Sequence, residues 1–324
     1  MNGRTPGHPS TATFDVVIVV DWSASSVPTR GRDSIWVAVR TPGAVDLCNP
    51  STRSAARALL ADVLEVHTGR RVLLALDVAL GYPSGTTRAA LGPADQGHPS
   101  WRRWWEHLDA RLVDDPSNSN NRFTVAADLN AAIGPGPGPF WGTTTATATG
   151  PHLARRKGAG FPYHFGQHAT LPEFRLVERA LRLDGHRPAS VWQLAGAGAV
   201  GSQSLTCIPV LEQLRRRQHL GRRMRIWPFE TGLVAEPAAG STDAVVVAEV
   251  WPTLCPLPDP WPDPVKDASQ VLVLSEHLAT LDRKGGLGAW FDPGLPDEVR
   301  PMVLDEEGWV LGARWPADRA DALR

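Results

Sequence analysis

Three short apolar runs, each closed by a carboxylate, dominate the hydrophobic pattern of the chain. They are Val16-Val17-Ile18-Val19-Val20-Asp21, Val72-Leu73-Leu74-Ala75-Leu76-Asp77 and Val245-Val246-Val247-Ala248-Glu249. A run that is apolar at consecutive positions, rich in Val and Leu and too short for a helix, predicts a strand buried on both faces. Ser34 to Val39 and Val45 to Cys48 are short and extended, between turns rich in Gly, Pro and Asp. From Ser51 to Thr68 the period lengthens to that of a helix. Ala55, Leu59, Val63 and Val66 share one face there, and Gly69 stands where a terminating glycine belongs. The first 80 residues therefore read β-β-β-α-β. The helical crossover predicts that the strands ending at Asp21 and Asp77 are parallel neighbours.

From about residue 82 to 187 the pattern loosens. Trp101 to Leu112 predicts a helix, Asn118 to Asn121 a polar loop, Gly134 to Pro139 alternates Gly and Pro, and Thr143 to Thr149 is of low complexity. Long loops inside a domain tend to be lids or binding loops, so this stretch reads as an insertion over the sheet's functional edge. Beyond it the pattern predicts a helix over Leu171 to Leu183 and a short strand over Val191 to Leu194. A helix within Ser202 to Leu220 follows, interrupted or started by Pro209, then strands at Arg225 to Phe229 and Ala244 to Val250. The last clear helix begins near Pro264, with Asp263 at the N-cap and Pro264 at the first helical position. Leu274, Leu278 and Leu281 carry its apolar face, and Gly285-Gly286 ends it. The tail has weak hairpin character around Trp309 to Arg314. The division that follows is a disordered leader over 1–13, a single α/β domain over 14–290 and a C-terminal extension over 291–324.

Composition narrows the function classes. At 324 residues, with 42% hydrophobic and 21% charged residues, the chain has the make-up of an ordinary globular protein. A formal net charge of −1 argues against a non-specific, charge-driven nucleic-acid binder. No apolar stretch approaches the roughly 20 residues of a membrane span, and no signal-peptide core is seen, so a cytoplasmic location is expected. Cys48, Cys207 and Cys255 are odd in number and far apart, which argues against a disulfide framework or a zinc knuckle.

A carboxylate at the end of a buried strand is costly to desolvate without a partner. Asp21 and Asp77, on neighbouring parallel strands, reach the same sheet edge. Asp267 falls in the first turn of the last helix and Glu249 ends the last strong strand. Four carboxylates converging there would suit a two-metal site holding Mg²⁺ or Mn²⁺, with all four as metal ligands and catalytic residues. The plainer reading is that strand-end and first-turn carboxylates cap helix N-termini. Glu230, after Trp227-Pro228-Phe229, ends a competing strand and is a rival to Glu249.

The β-β-β-α-β opening, with an Asp ending strand one, an Asp ending strand four and an Asp on a C-terminal helix, resembles the ribonuclease H-like fold. Asp21-Trp22-Ser23, Asp77-Val78-Ala79-Leu80-Gly81-Tyr82-Pro83 and Glu249-Val250-Trp251-Pro252 are similar to segments of a family of uncharacterised bacterial proteins described as predicted RNase H-like nucleases. The family's usual Tyr is Trp251 here, and Ala79 stands where the family often has Pro. The resemblance spans roughly Phe14 to Asp282. It implies a mixed β-sheet flanked by helices and hydrolysis of a phosphodiester in a nucleic acid or nucleotide-like substrate. Two other functions remain open. One is an actin-like or sugar-kinase-like phosphotransferase, although such proteins repeat the core and only one copy is visible. The other is a non-catalytic RNase H-like binding protein linked to cofactor biosynthesis.

Gly196-Ala197-Gly198-Ala199-Val200-Gly201 matches G-x-G-x-x-G. A dinucleotide fingerprint needs a βαβ unit and an acidic residue about 20 positions on, and position 221 is Gly. A cofactor- or phosphate-binding role for Gly196, Gly198 and Gly201 therefore rests on a nest of backbone amides; a tight turn is the alternative. Arg215-Arg216-Arg217 with Arg222, Arg223 and Arg225, and Arg155-Arg156-Lys157, read as phosphate contacts or as solvated helix ends. Trp101, Trp104 and Trp105 have the spacing of core residues more than of a base-stacking platform. His164 and His168 stand four apart, but Gly166 and Pro162 argue against a zinc pair. Ser23 and Ser25 have no His partner that would make them nucleophiles.

Overall fold

The computed structural model describes residues 12–93, 97–143, 150–158, 160–165 and 169–319. Residues 1–11 of the expected leader, most of the low-complexity Thr143–Thr149 segment and His168 lie outside the described residues.

The chain opens with β1 (Val16–Asp21), β2 (Trp36–Thr41), β3 (Ala44–Cys48), α1 (Arg53–Val66) and β4 (Arg71–Asp77). Thr52 caps α1, its side chain accepting from the Ala55 amide. The buried face of α1 is Ala56, Leu60, Ala61 and Leu64, with Ala55 and Val66 exposed. The helix is thus rotated by one position from the face expected, because the fully buried Arg53 also points inward. Then come α2 (Thr86–Leu91), α3 (Ser100–Arg111), α4 (Arg122–Ile133), a hairpin of β5 (Tyr163–Phe165) and β6 (Ala169–Leu171), and α5 (Leu176–Leu183). The second half holds α6 (Val200–Arg215), α7 (Gln218–Arg223), β7 (Met224–Ile226), β8 (Ala244–Glu249), α8 (Lys266–Arg283), two short helices α9 (Gly288–Phe291) and α10 (Arg300–Met302), and a π-helical turn over Val303–Glu307. None of the described helices is long and apolar enough to cross a membrane.

β1 to β4, β7 and β8 form one mixed sheet in the order β3-β2-β1-β4-β8-β7. β1, β2 and β3 are antiparallel, whereas β1, β4, β8 and β7 are parallel to one another. Val16 pairs with Val72 and the register runs unbroken to Asp21 opposite Asp77. From β1 the chain turns toward β2, and from β4 it continues toward β8. The β1/β4 seam is therefore the point where strand order reverses, beyond whose carboxyl ends α/β sheets bind their ligands.

Both faces of the sheet are covered. Val16, Ile18, Val20, Leu74, Leu76, Val245 and Val247 pack into a core shared with α1, α3, α4 and α6. Val17, Val19, Leu73, Ala75, Val246 and Ala248 pack into a second core with α5, α8 and the C-terminal segment. The α4 helix was not expected. Its apolar residues run all round the helix because it is buried on most sides, so no amphipathic stripe marks it. Trp101, Trp104 and Trp105 are core residues, as their spacing implied. Pro209 neither starts nor interrupts α6, which runs through it. The strand expected at Val191–Leu194 is a turn with a single bridge from Gln193 to Trp141.

The described residues after 290 pack against the rest of the chain and form no hairpin around Trp309 to Arg314. Trp309, Val310 and Leu311 are buried in the second core, Val310 bridges to Glu249, and the Leu311 amide donates to the Glu249 carbonyl at 2.8 Å. Three consecutive carboxylates explain the tight fit. Asp305 accepts from the Ser100 amide at the start of α3, and Glu306 from the Gly85 and Thr87 amides at the start of α2. Glu307 accepts from the Ser84 amide and from the Leu176 amide that opens α5. One short turn thus supplies acceptors to orphan amides at three helix N-termini, where negative charge is also favoured.

Candidate functional site

A cleft of about 980 Å³ opens at the carboxyl ends of β1 and β4. Asp21, Asp77 and Asp267 line it, together with the turn after Leu194 that leads into α6. Trp22, directly after Asp21, anchors the end of β1 to α6. Its indole donates to Thr206 Oγ1 at 3.2 Å and its carbonyl accepts from Gln203 Nε2 at 2.6 Å. The loop after β1 is fixed by the fully buried Arg53, which donates to the Ser25 carbonyl at 2.7 Å and to both oxygens of Asp114. Ser23 and Ser25 spend their hydroxyls on the carbonyls of Asp33 and Val27, so they shape the loop.

Side-chain parity decides which carboxylates meet. Asp21 continues the row Val17-Val19, and Asp77 the row Leu73-Ala75, on the face that carries α8. Asp267, in the first turn of α8, therefore belongs to the same face, and its Oδ2 accepts from the Asp33 amide at 2.8 Å. Burial pushes the Asp21 carboxyl well above its ordinary range, and Asp77, Asp267 and Asp33 push it further, with Lys266 opposing. Burial likewise raises Asp77 to about 7, with Glu249 and Asp267 adding to it. Asp21 and Asp77 are hemmed in by protein yet keep part of their surface open to the cleft. No hydrogen-bond donor among the described residues reaches either carboxylate.

Glu249 falls one register step short. It pairs with Leu76, and so belongs to the opposite row with Val245 and Val247. Both its oxygens are engaged by the fully buried Arg175, at 2.8 and 2.5 Å, and Oε2 also accepts from the Leu80 amide at 3.0 Å. Arg175 binds Glu178 as well and donates to the Glu307 carbonyl. The structure thus places Glu249 in a buried ion-pair network on the opposite row from Asp21, Asp77 and Asp267, near enough for its charge to act on Asp77. The sequence around Arg175 shows only its local pair with Glu178; its partners at 249 and 307 come from distant segments. Glu230 is also committed, to Arg215 at 2.7 and 2.8 Å and to the Ile226 amide, and does not line the cleft.

The chemistry of the donor set fits a hard divalent ion. Asp21 and Asp77 offer carboxylate oxygens that form no ion pair among the described residues. Among the described residues no three or more His, Cys, Asp or Glu side chains stand gathered as a metal cage. Mg²⁺ rarely needs one: it is commonly held by one or two carboxylates together with waters and substrate phosphates.

The glycine turn lines the same cleft. Gly196 and Gly198 have φ of +88° and +76°, a region that disfavours other residues. Gly201 plays a different part: a Cβ there would stand 2.2 Å from the Val191 carbonyl oxygen, and its amide already donates to Gln193. No strand precedes the turn, so the βαβ setting of a dinucleotide fingerprint is missing here. The basic run near the end of α6 lies elsewhere and is largely paired. Arg215 binds Glu230, Arg216 binds Asp109, Arg217 binds Glu65 and Arg223 binds Asp243. His164 is exposed on β5, away from the cleft.

No protein-family model, curated protein or solved structure matches this chain.

Proposed function

We propose that the chain is a metal-dependent phosphodiesterase or nuclease on a ribonuclease H-like core. The observation that carries this reading is the in-register pair Asp21–Asp77 at the strand-order reversal, joined by Asp267 from α8 on the same face. The antiparallel β1-β2-β3 set followed by parallel β4 and β8 is compatible with such a core; β7, outside β8, adds a sixth strand. Asp21 and Asp77 would hold Mg²⁺ or Mn²⁺, with Asp267 oriented by the Asp33 amide as the third carboxylate. When bound, the ion supplies Lewis-acid stabilisation of a phosphoryl group. The chain's own part is electrostatic. Without a cation, burial, and after it the neighbouring carboxylates, favour a proton on the pair; a divalent ion relieves the same cost and takes the proton's place. The substrate class that suits an open cleft lined by Arg32, Arg122 and Arg187 as well as by carboxylates is a nucleic acid or nucleotide-like phosphodiester. A reducing, cytoplasmic setting agrees with Cys48, Cys207 and Cys255 as free thiols.

The test is cleavage of single-stranded, duplex and hybrid nucleic acids with Mg²⁺ or Mn²⁺. Asp21→Asn and Asp77→Asn should abolish it, and Glu249→Gln, where folded, should leave divalent-ion binding in place. Full metal-dependent cleavage by Asp21→Asn would remove the proposal.

A further inference from the structure

Arg122 sits where an arginine is hard to explain by folding alone. It opens α4 and is 7% exposed. Its guanidinium donates from Nε to Ser202 Oγ at 3.0 Å and from Nη1 to Ser26 Oγ at 3.1 Å and Asn120 Oδ1 at 2.9 Å. All three acceptors are neutral. Its face lies 4.4 Å from the Phe123 ring centroid. No carboxylate among the described residues is within ion-pair distance; the nearby Asp114 is bound at both oxygens by Arg53. Nη2 donates to no described group, and Arg122 lines the cleft.

Ser202 lies in the first turn of the 16-residue α6, so a buried cation is clamped against the positive end of a helix. That juxtaposition is unfavourable twice over, since the helix end prefers an anion and a buried charge needs a counter-charge. Burial and the neighbouring Arg53 accordingly draw the guanidinium down to about 10. In the turn before the helix, the amides of Gly196, Ala197, Gly198 and Ala199 have no acceptor among the described residues. Gln193 Nε2 braces the turn by donating to the carbonyls of Ala195 and Ala197. Arg122 and this turn line the same cleft, where an anion can accept from the guanidinium and from free amides of the turn.

We infer that Arg122 and the Gly196–Ala199 turn form an anion subsite that takes a phosphate of the substrate other than the one cleaved at Asp21 and Asp77. The substrate class follows: a molecule with at least two phosphates, one over the carboxylates and one at the subsite. The identity of the cleaved group rests on the proposed function, but the subsite itself needs no metal.

Calorimetric titration of the full chain in EDTA with inorganic phosphate, a 5′-phosphorylated dinucleotide and an unphosphorylated trinucleotide separates the two ideas. Wild type and Asp21→Asn should bind alike. Arg122→Gln and, independently, Gly198→Ala should weaken binding by about tenfold or more, the loss of a charge-assisted contact. Arg122→Lys should fall between them and wild type. Gly198→Ala acts at a φ of +76° where the new methyl would stand 3.0 Å from the Ala189 side chain, so it distorts the turn while leaving Arg122 in place. Tighter binding of the dinucleotide identifies a terminal phosphate as the ligand, and tighter binding of the trinucleotide an internal one; both support the subsite. Unchanged phosphate affinity in folded Gly198→Ala or Arg122→Gln overturns it, as does absence of phosphate binding to wild type. Loss of metal-dependent cleavage in Asp21→Asn with phosphate binding intact supports both the subsite and the proposed function.

Discussion

Replacing Asp77 by Asn should stabilise the metal-free protein at alkaline pH and do little in acid. Asp77 is largely buried, faces Asp21 in register and has Glu249 and Asp267 as negative neighbours, with no hydrogen-bond donor among the described residues to offset them. A carboxyl raised from 3.8 to about 7 is better protonated in the folded chain than in the unfolded one. Its contribution to stability is therefore complete below about pH 4 and lost as the pH rises toward 7. At about 1.4 kcal/mol per pH unit the rise sets an upper bound of about 4 kcal/mol. Because the side chain keeps surface open to the cleft, screening reduces the expected gain to about 2 kcal/mol. For a chain of this size that is roughly 4 °C in Tm. Asn has nearly the same shape and no charge, so packing is held constant. The assay is thermal unfolding of both proteins in EDTA across pH 4 to 8.5. The difference in Tm should grow with pH and reach a plateau above about pH 7. Saturating Mn²⁺ should then raise the wild-type Tm and leave the variant's largely unmoved, since only binding to the folded state stabilises. A variant no more stable than wild type at pH 8, or a gain of the same size at pH 4, would refute the electrostatic account of the pair.

Other expectations follow from the neighbouring networks. Arg175→Met should cost about 3–5 kcal/mol in denaturant unfolding, because Glu249 and Glu178 would be left buried without their guanidinium; a cost under about 1 kcal/mol would contradict the ion-pair assignment. Glu306→Ala should lose about 1–2 kcal/mol, since it frees two amides at the start of α2, and a chain ending at 302 should lose cooperative unfolding altogether. Gly201→Ala should destabilise by about 2 kcal/mol or more, because its methyl would meet the Val191 carbonyl at 2.2 Å; a wild-type melting curve would show that α6 does not pack as closely as described.

The apolar runs by themselves determined the ends of β1, β4 and β8, each at the carboxylate expected. Consecutive Val and Leu are intelligible only as strands buried on two faces, and the helix between β3 and β4 required a parallel crossover. That logic also made Asp21 and Asp77 neighbours. It could not separate Glu249 from them, because register is set by pairing between strands: a shift of one residue sends a side chain to the other face. Arg175, which consumes Glu249, and Arg122, which charges the cleft, owe those roles to Glu249 and Ser202, 74 and 80 residues away in sequence. The packing of the C-terminal segment was hidden for a related reason. Asp305, Glu306 and Glu307 look like a solvated acidic run until α2, α3 and α5 deliver their N-termini to it. Local composition determines which segments must be buried; where a charge finds its partner is decided only when distant elements pack.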